Sequence, residues 1–204
     1  MPAKNNDLHG SAPETCPVAL LMIDVINDLD FEGGDRLLQN ALPMAHKLAE
    51  LARRARSAGI PVIYVNDNFG KWRSDFRMQL EHSRADGVRG KPIADLLVPD
   101  KNDYFVLKPK HSGFFATTLD TLLEYLGAKT VILTGIATDL CVLFTASDAH
   151  MRDLFLVVPE DCCASETVEE HSQALGLMKR KFDADTTDST SLDLNQLLRN
   201  MTDT

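Results

Sequence analysis

Short apolar runs alternate along the chain with longer segments in which apolar residues recur at helical spacing. The run from Val18 to Ile23 is uninterrupted and ends at Asp24, a pattern typical of a strand buried on both faces of a parallel sheet. Further strand-length runs predict strands at residues 61–65, 104–108, 130–134 and 154–158, with a sixth, polar edge strand near residues 184–187. Helical spacing predicts helices at residues 34–58, 117–126, 139–149 and 167–181.

This alternation of strands and helices predicts the fold class. Strands that alternate with helices build a parallel sheet through right-handed crossovers, with helices packed on both faces. We therefore predict a three-layer α/β/α domain with a mostly parallel, about six-stranded central sheet. The chain has 204 residues, and because one domain takes roughly 100–200 residues, we assign residues 17–204 to a single domain.

Two segments depart from the alternation. Residues 1–16 have no strand-like or helical apolar pattern and are predicted to form a mobile N-terminal tail. Residues 66–103 are too long for an ordinary connection between a strand and a helix, and they carry Phe69, Trp72, Phe76 and Met78 among charged residues. We predict that this second segment forms a lid or the wall of a pocket.

Composition narrows the classes of partner. The chain has 21 Lys and Arg against 30 Asp and Glu, a formal charge of −9, so nucleic acid is not an expected partner. Its apolar runs are of strand length, far short of the roughly 20 residues that cross a bilayer, and no membrane partner is expected. The four cysteines show no CxxC spacing and are expected to be reduced thiols. We predict a soluble, cytoplasmic protein that acts on a small molecule.

Three chemically active residues follow predicted strands. Asp24 comes after the first strand, Lys108 ends the third, and Cys141 lies in the first turns of the helix that follows the fourth. In an open parallel sheet, ligands bind outside the carboxyl ends of the strands, so these three side chains are expected to converge. A thiol near a helix N-terminus and an ammonium is favoured as the thiolate, and a carboxylate beside it can accept its proton. The pattern therefore predicts nucleophilic catalysis through a thioester.

The sequence resembles the isochorismatase-like cysteine hydrolases, a family that includes nicotinamidases and N-carbamoylsarcosine amidohydrolases. The matching segments are residues 21–28 (LMIDVIND), 108–114 (KPKHSGF) and 134–142 (TGIATDLCV). The resemblance implies that Asp24 is the base, Lys108 its electrostatic partner and Cys141 the nucleophile. It also implies a cis peptide between Ile136 and Ala137, an oxyanion hole formed by the backbone N–H groups of Ala137 and Cys141, and a homo-oligomer.

The sequence also departs from two branches of that family. Metal-binding nicotinamidases carry an Asp-x-His pattern after the second strand, whereas residues 66–72 (NDNFGKW) contain no histidine. We therefore expect no metal, and no organic cofactor. Isochorismatases proper cleave a vinyl ether and lack the nucleophilic cysteine, which is present here as Cys141, so cleavage of a carbon–nitrogen bond in an amide or ureide is favoured.

Several interpretations stay open. An ester or vinyl-ether hydrolase on the same fold is one alternative, and a non-catalytic thiol-redox protein using Cys141 or the adjacent Cys162 and Cys163 is another. Phe31, Phe69 and Trp72 are predicted to line the substrate pocket, against the alternative that they pack within the lid. His111, three residues after Lys108, is expected at the rim of the pocket or at a subunit contact rather than in catalysis.

Overall fold

The computed structural model of the chain describes residues 15–70 and 75–200. The strands are β1 (Val18–Ile23), β2 (Val62–Asp67), β3 (Tyr104–Lys108), β4 (Thr130–Ile136), β5 (Phe155–Val157) and β6 (Cys163–Ala164). The α-helices are α1 (Gly34–Ser57), α2 (Phe76–Ser83), α3 (Lys91–Leu96), α4 (Leu119–Leu126), α5 (Leu143–His150), α6 (Val168–Lys181) and α7 (Leu194–Asn200). A π-helical segment at Thr138–Val142 precedes α5, and two short 3₁₀ helices lie at Glu160–Cys162 and Ser189–Ser191.

The strands form one six-stranded sheet in the order β3-β2-β1-β4-β5, with β6 paired to β4 beyond the end of β5. Every pairing between these strands is parallel. The strand order reverses between β1 and β4, because β2 and β3 are added on one side of β1 and β4 and β5 on the other. The predicted fold class is confirmed, and the reversal places the ligand-binding edge at the carboxyl ends of β1 and β4.

The two faces of the sheet carry separate apolar cores, which explains why the strands are almost continuously hydrophobic. Alternate residues of a strand point to opposite faces. Val18, Leu20 and Met22 of β1 pack with α1, α3 and α7. Ala19, Leu21 and Ile23 pack on the other face with α4, α5 and α6. The central sheet thus lies between two helical layers.

The sixth strand was predicted in the wrong place. Near residues 184–187 the structure has only an isolated parallel bridge between Asp185 and Val157. The Asp185 carboxylate accepts hydrogen bonds from the backbone N–H and the hydroxyl of Thr187, at 2.9 and 2.6 Å. These local bonds turn the chain after one bridge, so no strand continues. The sixth strand is β6, two buried residues too short for a sequence pattern.

The segment at residues 66–103 contains regular structure that its polar composition does not predict. Its first two residues extend β2 to Asp67, and α2 and α3 follow. Phe76, Ile93 and Leu97 pack into the core beside α1. Trp72 and the rest of residues 71–74 lie outside the described residues, as do residues 1–14 of the predicted tail.

A glycine permits the close approach of β1 and β4 at the edge of the sheet. Gly135 pairs with Ile23 and has φ +111°, a conformation that L side chains rarely adopt. A Cβ atom at this position would lie 2.0 Å from the carbonyl oxygen of Ile23. The chain therefore needs glycine here to bring the turn after β4 next to the end of β1. Among the described residues, no helix combines the length and apolarity that a membrane span requires.

Candidate active site

Asp24, Lys108 and Cys141 meet at the carboxyl edge of the sheet, as the sequence predicts. The Nζ atom of Lys108 lies 2.8 Å from Oδ2 of Asp24 and 3.5 Å from Sγ of Cys141. All three side chains are buried, and Lys108 is completely inaccessible. An ammonium, a carboxylate and a thiol therefore share one enclosed volume from which water is largely excluded.

Backbone contacts fix the carboxylate of Asp24 in this volume. Asp24 follows β1 directly and has φ +51°, a left-handed conformation that aspartate tolerates better than most residues. Its N–H donates to the carbonyl of Val65 at 2.9 Å, and its Oδ1 accepts the N–H of Asp67 at 2.6 Å. One carboxylate oxygen is thus held by the end of β2 and the other by Lys108.

Lys108 reaches the site from β3, across the end of β2. Its backbone carbonyl accepts the N–H of Asn68 at 2.9 Å, and its ammonium donates to the carbonyl of Lys110 at 3.1 Å. Oδ2 of Asp67 lies 3.6 Å from the ammonium. A buried charge needs such partners to persist without water, and Lys108 has two carboxylates and a carbonyl.

Thr145 joins the loop that follows β3 to Cys141. Its hydroxyl donates to the carbonyl of Cys141 at 2.7 Å and accepts the N–H of Gly113 at 3.0 Å. On the same side, the hydroxyl of Ser112 donates to the Asp148 carboxylate. These side chains from α5 hold the loop that follows β3 against the turn that carries Cys141.

The electrostatics of the trio differ from the sequence expectation in one respect. Burial, followed by the negative charge of Asp24, raises the pKa of the Cys141 thiol, and the opposing effect of Lys108 is smaller. Burial also raises the pKa of Asp24. The charge of Lys108 and the hydrogen bonds that Asp24 accepts lower this pKa, but their effect is smaller. Desolvation lowers the pKa of Lys108, but Asp24, Cys141 and Asp67 together outweigh it and the pKa is raised.

These shifts describe how the resting site holds its protons. The directions of these pKa shifts favour a charged Lys108 and a protonated Cys141 thiol over the thiolate that the place of Cys141 near a helix N-terminus suggests. Burial is the reason, since it disfavours the charged form of a thiol more strongly than one ammonium favours it here. A carboxylate with a raised pKa is a stronger base, which suits it to take the thiol proton.

The turn between β4 and α5 carries Cys141. The peptide bond between Ile136 and Ala137 is cis, and the π-helical segment that contains Cys141 begins one residue later. The carbonyl of Ala137 accepts the N–H groups of Leu140 and Val142, at 3.2 and 3.1 Å. Ala137 and Cys141, the two residues predicted to supply oxyanion donors, both line the cavity described next.

A cavity of about 410 Å³ opens above the trio. Asp24 and Cys141 form part of its floor, and Phe31 and Phe69, two of the three predicted pocket residues, line its walls. The third, Trp72, lies outside the described residues. His111 also lines the cavity, and its ring lies 5.6 Å from that of Phe144. The volume suits a small molecule rather than a polymer.

Sequence reasoning missed most of the polar wall of this cavity. The wall contains four carboxylate side chains besides Asp24, those of Asp67, Asp139, Glu166 and Glu170. Asp67 ends β2 as Lys108 ends β3, and Asp24 directly follows β1, so the position of Asp67 was a usable signal. Glu166 lies between β6 and α6 and Glu170 on the first turn of α6; only the tertiary structure brings them to the cavity.

The remaining cysteines lie away from this cavity. Cys162 and Cys163 are both buried and free, and burial raises the pKa of each thiol. The Cys163 thiol donates to the carbonyl of Leu133 at 3.7 Å. Within residues 15–70 and 75–200, no group of three or more His, Cys, Asp or Glu side chains is placed to hold a metal ion.

Comparison with known proteins places the sequence among related chains. A sequence model described as the isochorismatase domain matches residues 18–191. The uncharacterized isochorismatase family protein YaaI of Bacillus subtilis is 39% identical over 170 residues, which cover 83% of this chain and 92% of that protein. Ureidoacrylate amidohydrolase RutB of Caulobacter vibrioides is 30% identical over 182 residues, covering 73% of this chain and 80% of that protein.

A solved structure extends the comparison to three dimensions. The crystal structure of N-carbamoylsarcosine amidase from Thermoplasma acidophilum matches with a TM-score of 0.67 at 26% sequence identity. The match covers 86% of this chain and 98% of the amidase. The amidase and the ureidoacrylate amidohydrolase are both named for the hydrolysis of carbon–nitrogen bonds.

Proposed function

The chain belongs to the isochorismatase family, and we propose that it is a cysteine hydrolase that cleaves a carbon–nitrogen bond of a small amide or ureide through a thioester on Cys141. The observation that carries the proposal is the buried trio, in which Lys108 lies 2.8 Å from Asp24 and 3.5 Å from the Cys141 sulfur. The amidohydrolases among its relatives support the choice of bond.

The first half of the reaction forms the thioester. Asp24 takes the thiol proton as the sulfur of Cys141 attacks the carbonyl carbon of the substrate, and a tetrahedral oxyanion results. When the carbon–nitrogen bond breaks, the proton on Asp24 passes to the leaving nitrogen, which departs as an amine or ammonia. Lys108 keeps its proton throughout and balances the negative charge that moves between Asp24 and Cys141.

The second half releases the acid. A water molecule takes the position of the departed amine, and Asp24, ionised again, accepts one of its protons as the oxygen attacks the thioester carbon. The carbon–sulfur bond then breaks, and the proton on Asp24 returns to the sulfur of Cys141. The enzyme is restored, and each proton transfer uses only residues of the trio, the substrate and water.

The oxyanion of both steps needs hydrogen-bond donors. We assign this role to the backbone N–H groups of Ala137 and Cys141, two residues of the turn that line the cavity. A donor aimed at the developing oxyanion typically contributes about 3 kcal/mol to the barrier.

Turnover of a small-amide panel tests the proposal. The purified protein is incubated with primary amides, ureides and matched esters, and release of ammonia, amine or alcohol is followed. We expect hydrolysis of at least one carbon–nitrogen substrate, and loss of roughly 10³-fold or more of the rate in Cys141→Ala. Cys163→Ala is the matched control, because Cys163 is also buried but does not line the cavity. Equal rates in wild type and Cys141→Ala would overturn the proposal.

A further inference from the structure

Two side-chain contacts join the turn that carries Cys141 to α6 and to the segment just before α6. The hydroxyl of Thr138 lies 2.8 Å from Nδ1 of His171 on α6. One residue later, the N–H of Asp139 donates to the hydroxyl of Ser165 at 3.3 Å, and that hydroxyl donates to Oδ1 of Asp139 at 2.5 Å. The two residues after Ala137 are thus held from outside the turn.

The Thr138 contact is the more enclosed of the two. Thr138 is fully buried, and His171 is half-buried on the first turn of α6. Desolvation lowers the pKa of His171, although Glu160 and Asp139 act in the opposite direction. A neutral imidazole has one nitrogen that accepts and one that donates, so Nδ1 can accept the Thr138 hydroxyl while the other nitrogen carries the proton.

We propose that His171 is a positioning residue, which acts through the Thr138 hydroxyl to aim the oxyanion donors of the turn at the reacting carbonyl. This inference rests on the proposed function, in which the N–H groups of Ala137 and Cys141 bind the oxyanion. Thr138 follows Ala137 directly and lies three residues before Cys141, so a fixed Thr138 side chain limits the freedom of both donors.

The energetic basis is the steep dependence of oxyanion stabilisation on donor geometry. A misplacement of about 1 Å in a catalytic group can lower a rate by as much as 100-fold. His171 does not line the cavity, and its effect is therefore on the backbone of the turn. The competing explanation is that the hydrogen bond only adds stability to the contact between α6 and the turn.

Two reagents separate these explanations, because one reaction passes through an oxyanion and the other does not. 4-Nitrophenyl acetate acylates the thiol through a tetrahedral oxyanion, forming an acetyl thioester and releasing nitrophenolate. Iodoacetamide alkylates the same sulfur by displacing iodide from a saturated carbon, so it forms no oxyanion. The ratio of the acylation rate to the alkylation rate at Cys141 therefore measures oxyanion stabilisation separately from access to the thiol.

The variants are chosen in pairs. Thr138→Val removes only the hydroxyl, and Thr138→Ser retains it. His171→Phe removes the ring nitrogen, and His171→Asn restores a polar group near the position of Nδ1. We expect the ratio to fall about tenfold in Thr138→Val and His171→Phe, and to recover in the conservative partners. Because the two residues act as a unit, the double variant should lose no more than either single variant.

Each outcome is informative. If acylation and alkylation fall together, or if neither changes, His171 is structural and the inference is wrong. If the wild type shows no nitrophenolate release that depends on Cys141, the proposed function fails and the inference fails with it. If the wild type is acylated and the variants match it, only the inference fails. Thermal unfolding of each variant shows whether it is folded. If His171→Phe does not fold, Thr138→Val still tests the inference.

Discussion

At the scale of single residues, Lys108 is a buried ammonium whose charge depends on two carboxylates. Removing one partner of a buried ion pair typically costs about 3–5 kcal/mol, because the other charge remains without compensation. We expect Lys108→Met to lower the free energy of unfolding by about 3 kcal/mol, measured by urea denaturation. Lys110→Met, two residues along and exposed, is the control. A loss below about 1 kcal/mol would mean that the pair is not buried together.

The raised pKa of Asp24 leads to a prediction about pH. The proposed mechanism uses the ionised carboxylate of Asp24 as a base, so we expect activity to be lost as the pH falls through the pKa of the Asp24–Cys141 set. Because burial raises that pKa, we expect the acid limb of kcat/KM to lie above the ordinary aspartate value of about 3.9. Asp24→Asn should abolish the limb together with the activity.

A pH profile of kcat/KM, measured on a substrate without ionisable groups, tests the expected position of the acid limb. An acid limb at or below the ordinary aspartate range would contradict the assignment of Asp24 as a desolvated base. Retention of full activity in Asp24→Asn would contradict it independently of the profile.

The residue scale also shows what the sequence can predict of the site. Asp24, Lys108 and Cys141 could be chosen because each lies at or just after the carboxyl end of a strand, a position that brings side chains together. The raised pKa of the Cys141 thiol could not be predicted from the sequence, since it depends on burial by residues from several elements. The roles of Glu166, just before α6, and of Glu170, on α6, could not be predicted either, because both reach the cavity only through tertiary packing.

At the scale of elements, the approach of β4 to β1 depends on Gly135. A Cβ atom there would lie 2.0 Å from the carbonyl oxygen of Ile23, which is backbone and has little room to move. We expect Gly135→Ala to lower the free energy of unfolding by more than about 2 kcal/mol and to lower kcat, because the turn that carries Cys141 is displaced. Urea denaturation and turnover measure the two effects.

Gly127 provides the matched control for this substitution. It also has positive φ, at +70°, but a Cβ atom there would have no neighbour within 4 Å. Gly127→Ala should therefore cost about 1 kcal/mol through backbone strain and leave kcat unchanged. Equal effects of the two substitutions would show that the contact with β1 is not what requires glycine at position 135.

The strands and helices that the sequence patterns predict differ from those they miss in length and in burial. β1 was predicted with its observed ends, because a buried central strand needs apolar residues throughout. β6 has two residues and pairs only with the end of β4, so no periodic pattern can reveal it. α2 and α3 are short, and each buries only a few side chains, which left their segment resembling a loop.

At the scale of the whole molecule, the order of strands and helices along the chain predicts the fold. The same order does not predict the lining of the cavity, much of which comes from loops. The chain carries a formal charge of −9, and the charged side chains among the described residues that line the cavity are carboxylates, apart from the titratable His111. Arg36 pairs with one of them, Glu166, at 2.6 Å. Lys108 pairs with Asp24 and Asp67, so the carboxylates of Asp139 and Glu170 make the cavity wall acidic.

This charge distribution predicts a preference among substrates. Of two amides matched in size, the one with a quaternary ammonium should show a kcat/KM about tenfold higher than the one with a carboxylate. The preference should shrink as salt increases, because screening acts over roughly 10 Å at 0.1 M. Glu170→Gln should reduce it, with the exposed Glu124→Gln as control. A preference for the carboxylate would show that the acidic wall does not contact the substrate.

The central claim is that Cys141 carries the acyl group of the substrate during turnover. The most direct test is intact-mass spectrometry of the protein after a rapid acid quench from a reaction with a substrate amide or ester, followed by peptide mapping. The account predicts a mass increase equal to the acyl portion, located on Cys141, reached before steady state and absent from Cys141→Ala. Turnover without any adduct under single-turnover conditions, or an adduct on Cys16, Cys162 or Cys163 in place of Cys141, would contradict it.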